Sequence, residues 1–176
     1  MQVRPARVDD AAAIADAHTR AWQAAYEHVF GAENLATIDS ERRRRWWERC
    51  VREGLETVLV AEKDGRVVAF ASLGPARDDP AREDAAREDA ACGELYAIYA
   101  LPEAWGSGAG RALLEAGVEA LREGGYREAI LWVLDDNPRA RRFYEREGWT
   151  PDGGTKTDAF FGVRVTEVRY RLLIRG

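Results

Sequence analysis

Three glycines at alternate positions, Gly106, Gly108 and Gly110, stand in the stretch ALPEAWGSGAGRALL, Ala100 to Leu114. An alternating apolar run, Glu94 to Tyr99, precedes it, and a helix-like pattern ending at Gly124-Gly125 follows. Strand, glycine-rich turn and helix is the expected order. Glycine lets the turn approach a ligand closely and adopt positive φ. Backbone amides at the head of the following helix lack intrahelical partners and sit at the positive end of its dipole, so they favour an anion. The ligand this predicts carries phosphate. A second stretch, Leu131 to Trp149, reads as strand, cap, helix and stop. Asn137 suits the N-cap, Pro138 the first helical position and Gly148 the C-terminal cap. Tyr144 lies within that helix, with a phenol that can donate a proton.

The turn is not a nucleotide-binding loop of the common kinds. A P-loop places Lys and then Ser or Thr after its last glycine, whereas Arg111 and Ala112 follow Gly110. A dinucleotide fingerprint needs a third glycine where Arg111 stands. The residues instead resemble the pyrophosphate loop of the GNAT superfamily of N-acetyltransferases, Gln/Arg-x-x-Gly-x-Gly/Ala. Gly108 and Gly110 match its two small positions, and Trp105 departs from the first. The second stretch resembles the segment of the same family in which a strand ends in Asn, a helix carries a Tyr and Gly-Phe closes it, with Trp149 here in place of Phe. Residues 94–149 carry the resemblance most strongly.

The resemblance implies a GNAT fold: α/β, with a mixed, mostly antiparallel central sheet, a splayed parallel strand pair and flanking helices. It implies acetyl-CoA as acetyl donor and no metal. Gly106, Ser107, Gly108, Ala109, Gly110 and Arg111 would hold the diphosphate. Backbone groups of Ile98 and Ala100 would bond the pantetheine arm as it enters between the splayed strands, and an amide near Tyr99 or Ala100 would polarise the thioester. Asn137 would both cap its helix and touch that arm. Tyr144 is the expected general acid. Glu94, at the start of the central strand, is a candidate base, with His28 or water as alternatives. Trp22, Tyr26 and Glu27, on the first helix and the turn after it, and Tyr96 would contact the acceptor, a small-molecule or peptide amine. Cys50 and Cys92 lie outside both motifs, so direct transfer in a ternary complex is expected rather than an acetyl-cysteine. A homodimer is compatible with the resemblance. A sensor or interaction module that binds acyl-CoA without catalysis is the alternative.

The positioning elements follow from periodicity and punctuation. Val3 to Arg7 reads as a first strand, and Asp9 or Asp10 caps a helix from Ala11 to Tyr26. Residues 31–39 form a loop or broken turn, and Ser40 caps a second helix that Gly54 ends. On it, the pairs Trp46 with Cys50 and Trp47 with Val51 are expected to face inward, while Arg42 to Arg45 spread around a solvated face with Glu41 and Glu48. Asp64-Gly65 signals a hairpin between strands at 56–62 and 66–73. Residues 74–92 carry a repeated Arg-Glu-Asp-Ala and read as a solvated loop or short surface helix. Alternation in the central strand puts Glu94, Tyr96, Ile98 and Ala100 on one face and Leu95, Ala97 and Tyr99 on the other. Ala129 to Leu134 is a parallel neighbour. Part of a strand lies within 155–163, and Thr166 to Ile174 closes the sheet.

Composition sets outer bounds. With 176 residues, 46% hydrophobic and 32% charged, the chain is expected to form one N-acetyltransferase domain over residues 1–176. No apolar run approaches the roughly 20 residues of a membrane span, and no signal-peptide pattern opens the chain. Two cysteines in unrelated contexts imply neither a disulfide framework nor a zinc site. A cytoplasmic protein is expected. The net charge of −5 argues against nucleic acid as a partner.

Overall fold

The computed structural model describes residues 1–77 and 92–174. The charge-rich repeat lies outside the described residues. Seven strands, β1 (Gln2–Pro5), β2 (Thr57–Lys63), β3 (Arg66–Pro75), β4 (Cys92–Ala100), β5 (Glu128–Leu134), β6 (Thr150–Phe160) and β7 (Val163–Leu173), form one sheet in the order β1-β2-β3-β4-β5-β7-β6. Only β4 and β5 run parallel, because a helix connects them and returns the chain to the same end of the sheet. Their pairing runs from Cys92↔Glu128 to Leu95↔Leu131 and stops. Both strands continue, β4 to Ala100 against β3 and β5 to Leu134 against β7. The result is the expected splay, a gap opening beyond Leu95 in the middle of the sheet.

Among the described residues, five α-helices cover the two faces: α1 (Ala11–Phe30), α2 (Ala32–Ala36), α3 (Ser40–Glu53), α4 (Ala109–Glu123) and α5 (Pro138–Arg146). On one face, Leu113, Leu114 and Leu121 of α4 and Tyr144 of α5 pack with Leu73, Leu95 and Leu131 of the sheet. On the other, Ile14 and Ala17 of α1 and Trp47 and Cys50 of α3 pack on Val58, Val60 and Phe70. A third cluster joins Tyr26 and Phe30 of α1, Leu35 of α2 and Leu134 and Val165 of β5 and β7. None of the helices, over the described residues, is long and apolar enough to cross a membrane.

Several expectations change in detail. The first helix runs on to Phe30, and the broken turn after it is the short helix α2. Asp10 does not cap α1 with its side chain; its carboxylate binds the Arg4 guanidinium at 2.7 and 3.0 Å and the Arg7 amide at 2.7 Å. Asp39, not Ser40, is the N-cap of α3, its Oδ1 accepting from the Arg42 amide at 2.8 Å. Trp46 faces outward at 41% exposure, under Arg49, while Trp47 is buried. The last hairpin turns at Phe161-Gly162, with φ of 53° and 76°, so the strand expected at 159–163 divides there.

The central strand holds the main correction. Ser72 pairs with Ala97 and Leu73 with Leu95, leaving Tyr96 as an extra residue in β4. Such a bulge inverts the alternation. Leu95, Ile98 and Ala100 therefore share the α4–α5 face, and Ala97 and Tyr99 share the α1–α3 face. The expected grouping of Ile98 and Ala100 with Glu94 is broken, since Glu94, adjacent to Leu95, points the opposite way.

Candidate active site

The turn before α4 is open. Gly106 and Gly108 are exposed, with φ of 77° and 89°, and a Cβ at either would meet nothing within 4 Å. No side chain caps α4. Its first amides thus stand at the head of a helix of 15 residues with no side-chain acceptor among the described residues, an arrangement that suits an anion. The Ser107 amide is turned aside to Ala104 O at 3.2 Å. A cleft of about 430 Å³ runs from this turn along β4 to α1, lined by Gly106, Gly108, Gly110 and Arg111, by Ile98, Tyr99 and Ala100, and by Asn137 and Tyr26. Its volume is in the range of small-molecule sites.

The edge of β4 at this cleft has a definite polarity. The Leu101 amide donates to Val68 O at 2.9 Å, so Leu101/Val68 is a hydrogen-bonded pair of the antiparallel ladder. By alternation Tyr99/Phe70 and Ala97/Ser72 are the next such pairs. Ile98 and Ala100 must then point their N–H and C=O groups the other way, into the gap that β5 has left. The Ala100 carbonyl is taken by Trp105 Nε1 at 3.0 Å. The Ala100 amide and both backbone groups of Ile98 face the gap beyond the last β4–β5 pair, Leu95 with Leu131.

Trp105 thus has a defined place. Its ring carries the Arg139 guanidinium at 3.7 Å, and both residues line the cleft. Arg139 has no carboxylate within 4 Å among the described residues. The sequence reading did not single out Arg139, nor Phe143 and Arg146, which also line the cleft. Arg139 did carry a signal: it is two residues past the N-cap Asn137, and a cation there opposes the helix dipole. Arg111 lines the cleft with its side chain tied to Glu115 at 2.9 Å.

Asn137 behaves as expected of a cap, its Oδ1 accepting from the Ala140 amide at 3.1 Å. It also meets Tyr26. Burial raises the Tyr26 phenol above its usual range, and contacts with the Tyr99 hydroxyl and Asn137 partly offset this. Tyr144 is buried and does not itself line the cleft. Burial first, and the neighbouring Tyr26 second, push its phenol well above the usual range. The Tyr26 hydroxyl thus meets that of Tyr99, and Tyr144 is near enough to feel Tyr26.

The other expected residues lie apart from the cleft. Glu94 is buried, with Oε2 accepting from the Arg77 amide at 2.8 Å. Tyr96 donates to Pro75 O at 2.6 Å, under the Arg77 guanidinium. Trp22 packs among Tyr26, Phe30 and Phe160. Glu27 is exposed on α1 and is not brought to the cleft. His28 is also exposed, its Nε2 3.2 Å from Asp136 O. Cys50 is buried, and burial pushes its thiol up to about 11.

Comparison with known proteins bears on the family and the fold. The model of the Acetyltransferase (GNAT) family matches residues 13–149. YuaI of Bacillus subtilis (strain 168), an uncharacterized N-acetyltransferase, is 34% identical over 169 residues, 94% of this chain and 89% of its own length. The crystal structure of a ribosomal-protein-alanine N-acetyltransferase from Brucella melitensis has a TM-score of 0.69 at 27% identity, covering 98% of this chain and 99% of that one. The structure of yncA from Salmonella typhimurium with its cofactor acetyl-CoA has a TM-score of 0.68 at 23% identity, covering 99% and 94%, a likeness of fold.

Proposed function

The chain belongs to the GNAT acetyltransferase family, and from that premise we propose that residues 1–176 act as one domain that transfers acetyl from acetyl-CoA to a primary amine by direct attack in a ternary complex. The observation that carries this reading is the continuity of one cleft from the uncapped head of α4 to the unpaired edge of β4. A diphosphate at Gly106–Arg111 and an extended arm along Ile98 and Ala100 fit its two ends. Arg139 supplies the charge that Trp105 lacks. Bound acetyl-CoA supplies the activated acetyl group.

The protein's own groups then have these tasks. The Ala100 amide donates to the carbonyl oxygen as negative charge develops there, a contribution of about 3–4 kcal/mol where such donors have been removed. Glu94 accepts the amine proton through water, because its place on the far face and its bond to the Arg77 amide keep it from direct reach. As the C–N bond forms and the C–S bond breaks, Tyr144 gives its proton to the departing sulfur, directly or by way of Tyr26. Reprotonation of the phenolate closes the balance, leaving amide and thiol. Cys50 takes no part: a thiol held near 11 offers almost no thiolate at neutral pH.

The test is a panel of amines assayed with acetyl-CoA for thiol release, run beside calorimetric titration with coenzyme A. Release that persists in Cys50→Ala and Cys92→Ala supports direct transfer. Binding of coenzyme A without release for any amine would instead support the acyl-CoA sensor.

A further inference from the structure

The four arginines at the start of α3 are not equivalent. Arg44 is held by Glu41 and Glu48 at 2.7 and 2.9 Å, and Arg45 stands 3.6 Å from Glu41. Arg43 turns inward instead. Its Nη1 lies 3.3 Å from Thr19 Oγ1 on α1, and its guanidinium sits 5.3 Å from the centre of the Trp22 ring. Among the described residues it has no carboxylate within 4 Å. Burial holds the guanidinium below the usual arginine range. A cation partly withdrawn from water, with only a hydroxyl and an aromatic face for company, is in a poor position unless an anion joins it.

Its surroundings pack beside Tyr99 on the α1–α3 side. His18 stacks on Tyr99 at 5.0 Å and lies edge-on to Trp22 at 6.1 Å. Trp47 Nε1 donates to His18 Nδ1 at 3.4 Å, and burial with the nearby Arg43 charge holds His18 neutral, with a pKa of about 3. Trp22 Nε1 is buried on the same side, against the Tyr99 side chain. Tyr99 joins the two faces: its ring packs here, its hydroxyl meets Tyr26 of the cleft, and its backbone lies between Ile98 and Ala100. The cleft reaches α1 at Ala21, Ala25 and Tyr26, and Arg43 packs on Thr19 and Trp22 of that same helix.

We propose that Arg43 is an acceptor-binding residue and that the amine this enzyme acetylates carries a carboxylate, as an amino acid does. This deepens the acetyl-transfer reading and rests on it. The guanidinium fork matches a carboxylate in two parallel hydrogen bonds. A single guanidinium beside a neutral His18 balances one negative charge, which suits a carboxylate better than the nearly doubly charged phosphate monoester.

The test pairs each amino acid of the panel with its own carboxamide and compares kcat and KM in the wild type, Arg43→Gln and Arg43→Lys. The ratio within each pair, followed from enzyme to enzyme, cancels intrinsic differences in amine reactivity. The expected result is a wild-type preference for the acid. Arg43→Gln raises KM for the acid by on the order of 10- to 100-fold, with kcat and the carboxamide values kept, and Arg43→Lys keeps part of the preference. Equal use of acid and carboxamide by the wild type overturns the proposal and leaves acetyl transfer standing. So does an equal loss on both in Arg43→Gln, which would mark Arg43 as a packing residue. Coenzyme A binding without thiol release for any amine overturns acetyl transfer itself, and the proposal with it.

Discussion

Tyr144 has the most demanding environment of the residues assigned to chemistry. Its burial raises the phenol, so it stays protonated throughout the neutral range and well above it. It is a poorer acid for that, and can give up its proton only to a sulfur already gathering charge. Tyr144→Phe should lower kcat by on the order of 10²- to 10⁴-fold with the coenzyme A affinity kept; steady-state kinetics beside calorimetry measure both. An unchanged kcat removes Tyr144 from the acid role. Arg139 belongs at the same scale. Stacked on Trp105 with no carboxylate within 4 Å among the described residues, it is, on the proposed reading, the side chain that meets the donor's phosphate. Arg139→Ala should weaken coenzyme A binding by on the order of 10- to 100-fold, while kcat at saturation stays within about twofold. If the dissociation constant does not move, the charge at the turn is not what binds the donor.

The turn and its helix work as a unit, and the glycine that joins them is under the strictest constraint. Gly108 is the N-cap of α4 with φ of 89°, and a Cβ there would meet open space. Alanine would therefore cost only backbone strain, about 1–2 kcal/mol. Gly108→Ala should lower the melting temperature by a few degrees and weaken coenzyme A binding as the turn relaxes away from positive φ. A melting temperature and affinity both equal to wild type would mean that α4 starts differently. The bulge in β4 acts at this scale too. By adding Tyr96, it separates the face of Glu94 from the face of Ile98 and Ala100. On the proposed reading, one strand would serve the donor with its edge while Glu94 would act from the opposite face.

Across the whole molecule the sheet is a partition with one opening. The cleft runs from the turn before α4 to Ala21, Ala25 and Tyr26 of α1, and His18, Trp22 and Arg43 pack beside Tyr99 on the α1–α3 side. That second core has a pH signature. The folded protein holds His18 near 3, against about 6.5 when unfolded. Between those values the unfolded chain binds the extra proton, so the stability His18 confers is complete above about pH 6.5 and drains as pH falls toward 3. The slope is at most about 1.4 kcal/mol per pH unit. His18→Phe keeps an aromatic ring against Tyr99 and removes the proton. Denaturant unfolding from pH 7 to 4 should fall less steeply in this variant than in wild type. Parallel curves would mean that His18 is protonated in the folded state.

Local chemistry was enough to read the glycine turn, the Asn137 cap, the hairpin at Asp64-Gly65 and the parallel pair. Each depends on residues adjacent in sequence or on a helical connection that leaves little choice of direction. Nothing local marks Tyr96 as an extra residue, because a bulge is defined by the strand opposite. Whether Trp46 or Trp47 turns inward depends in the same way on where α1 lies. The run Arg42–Arg45 looks uniform along the chain, and only packing against Thr19 and Trp22 sets Arg43 apart. Arg139 and Trp105 meet across the gap between two strands. The sequence by itself determined which backbone can hold a diphosphate. Tertiary structure alone decided which side chains line the cleft and which pack behind Tyr99, since those contacts arise between segments distant in the chain.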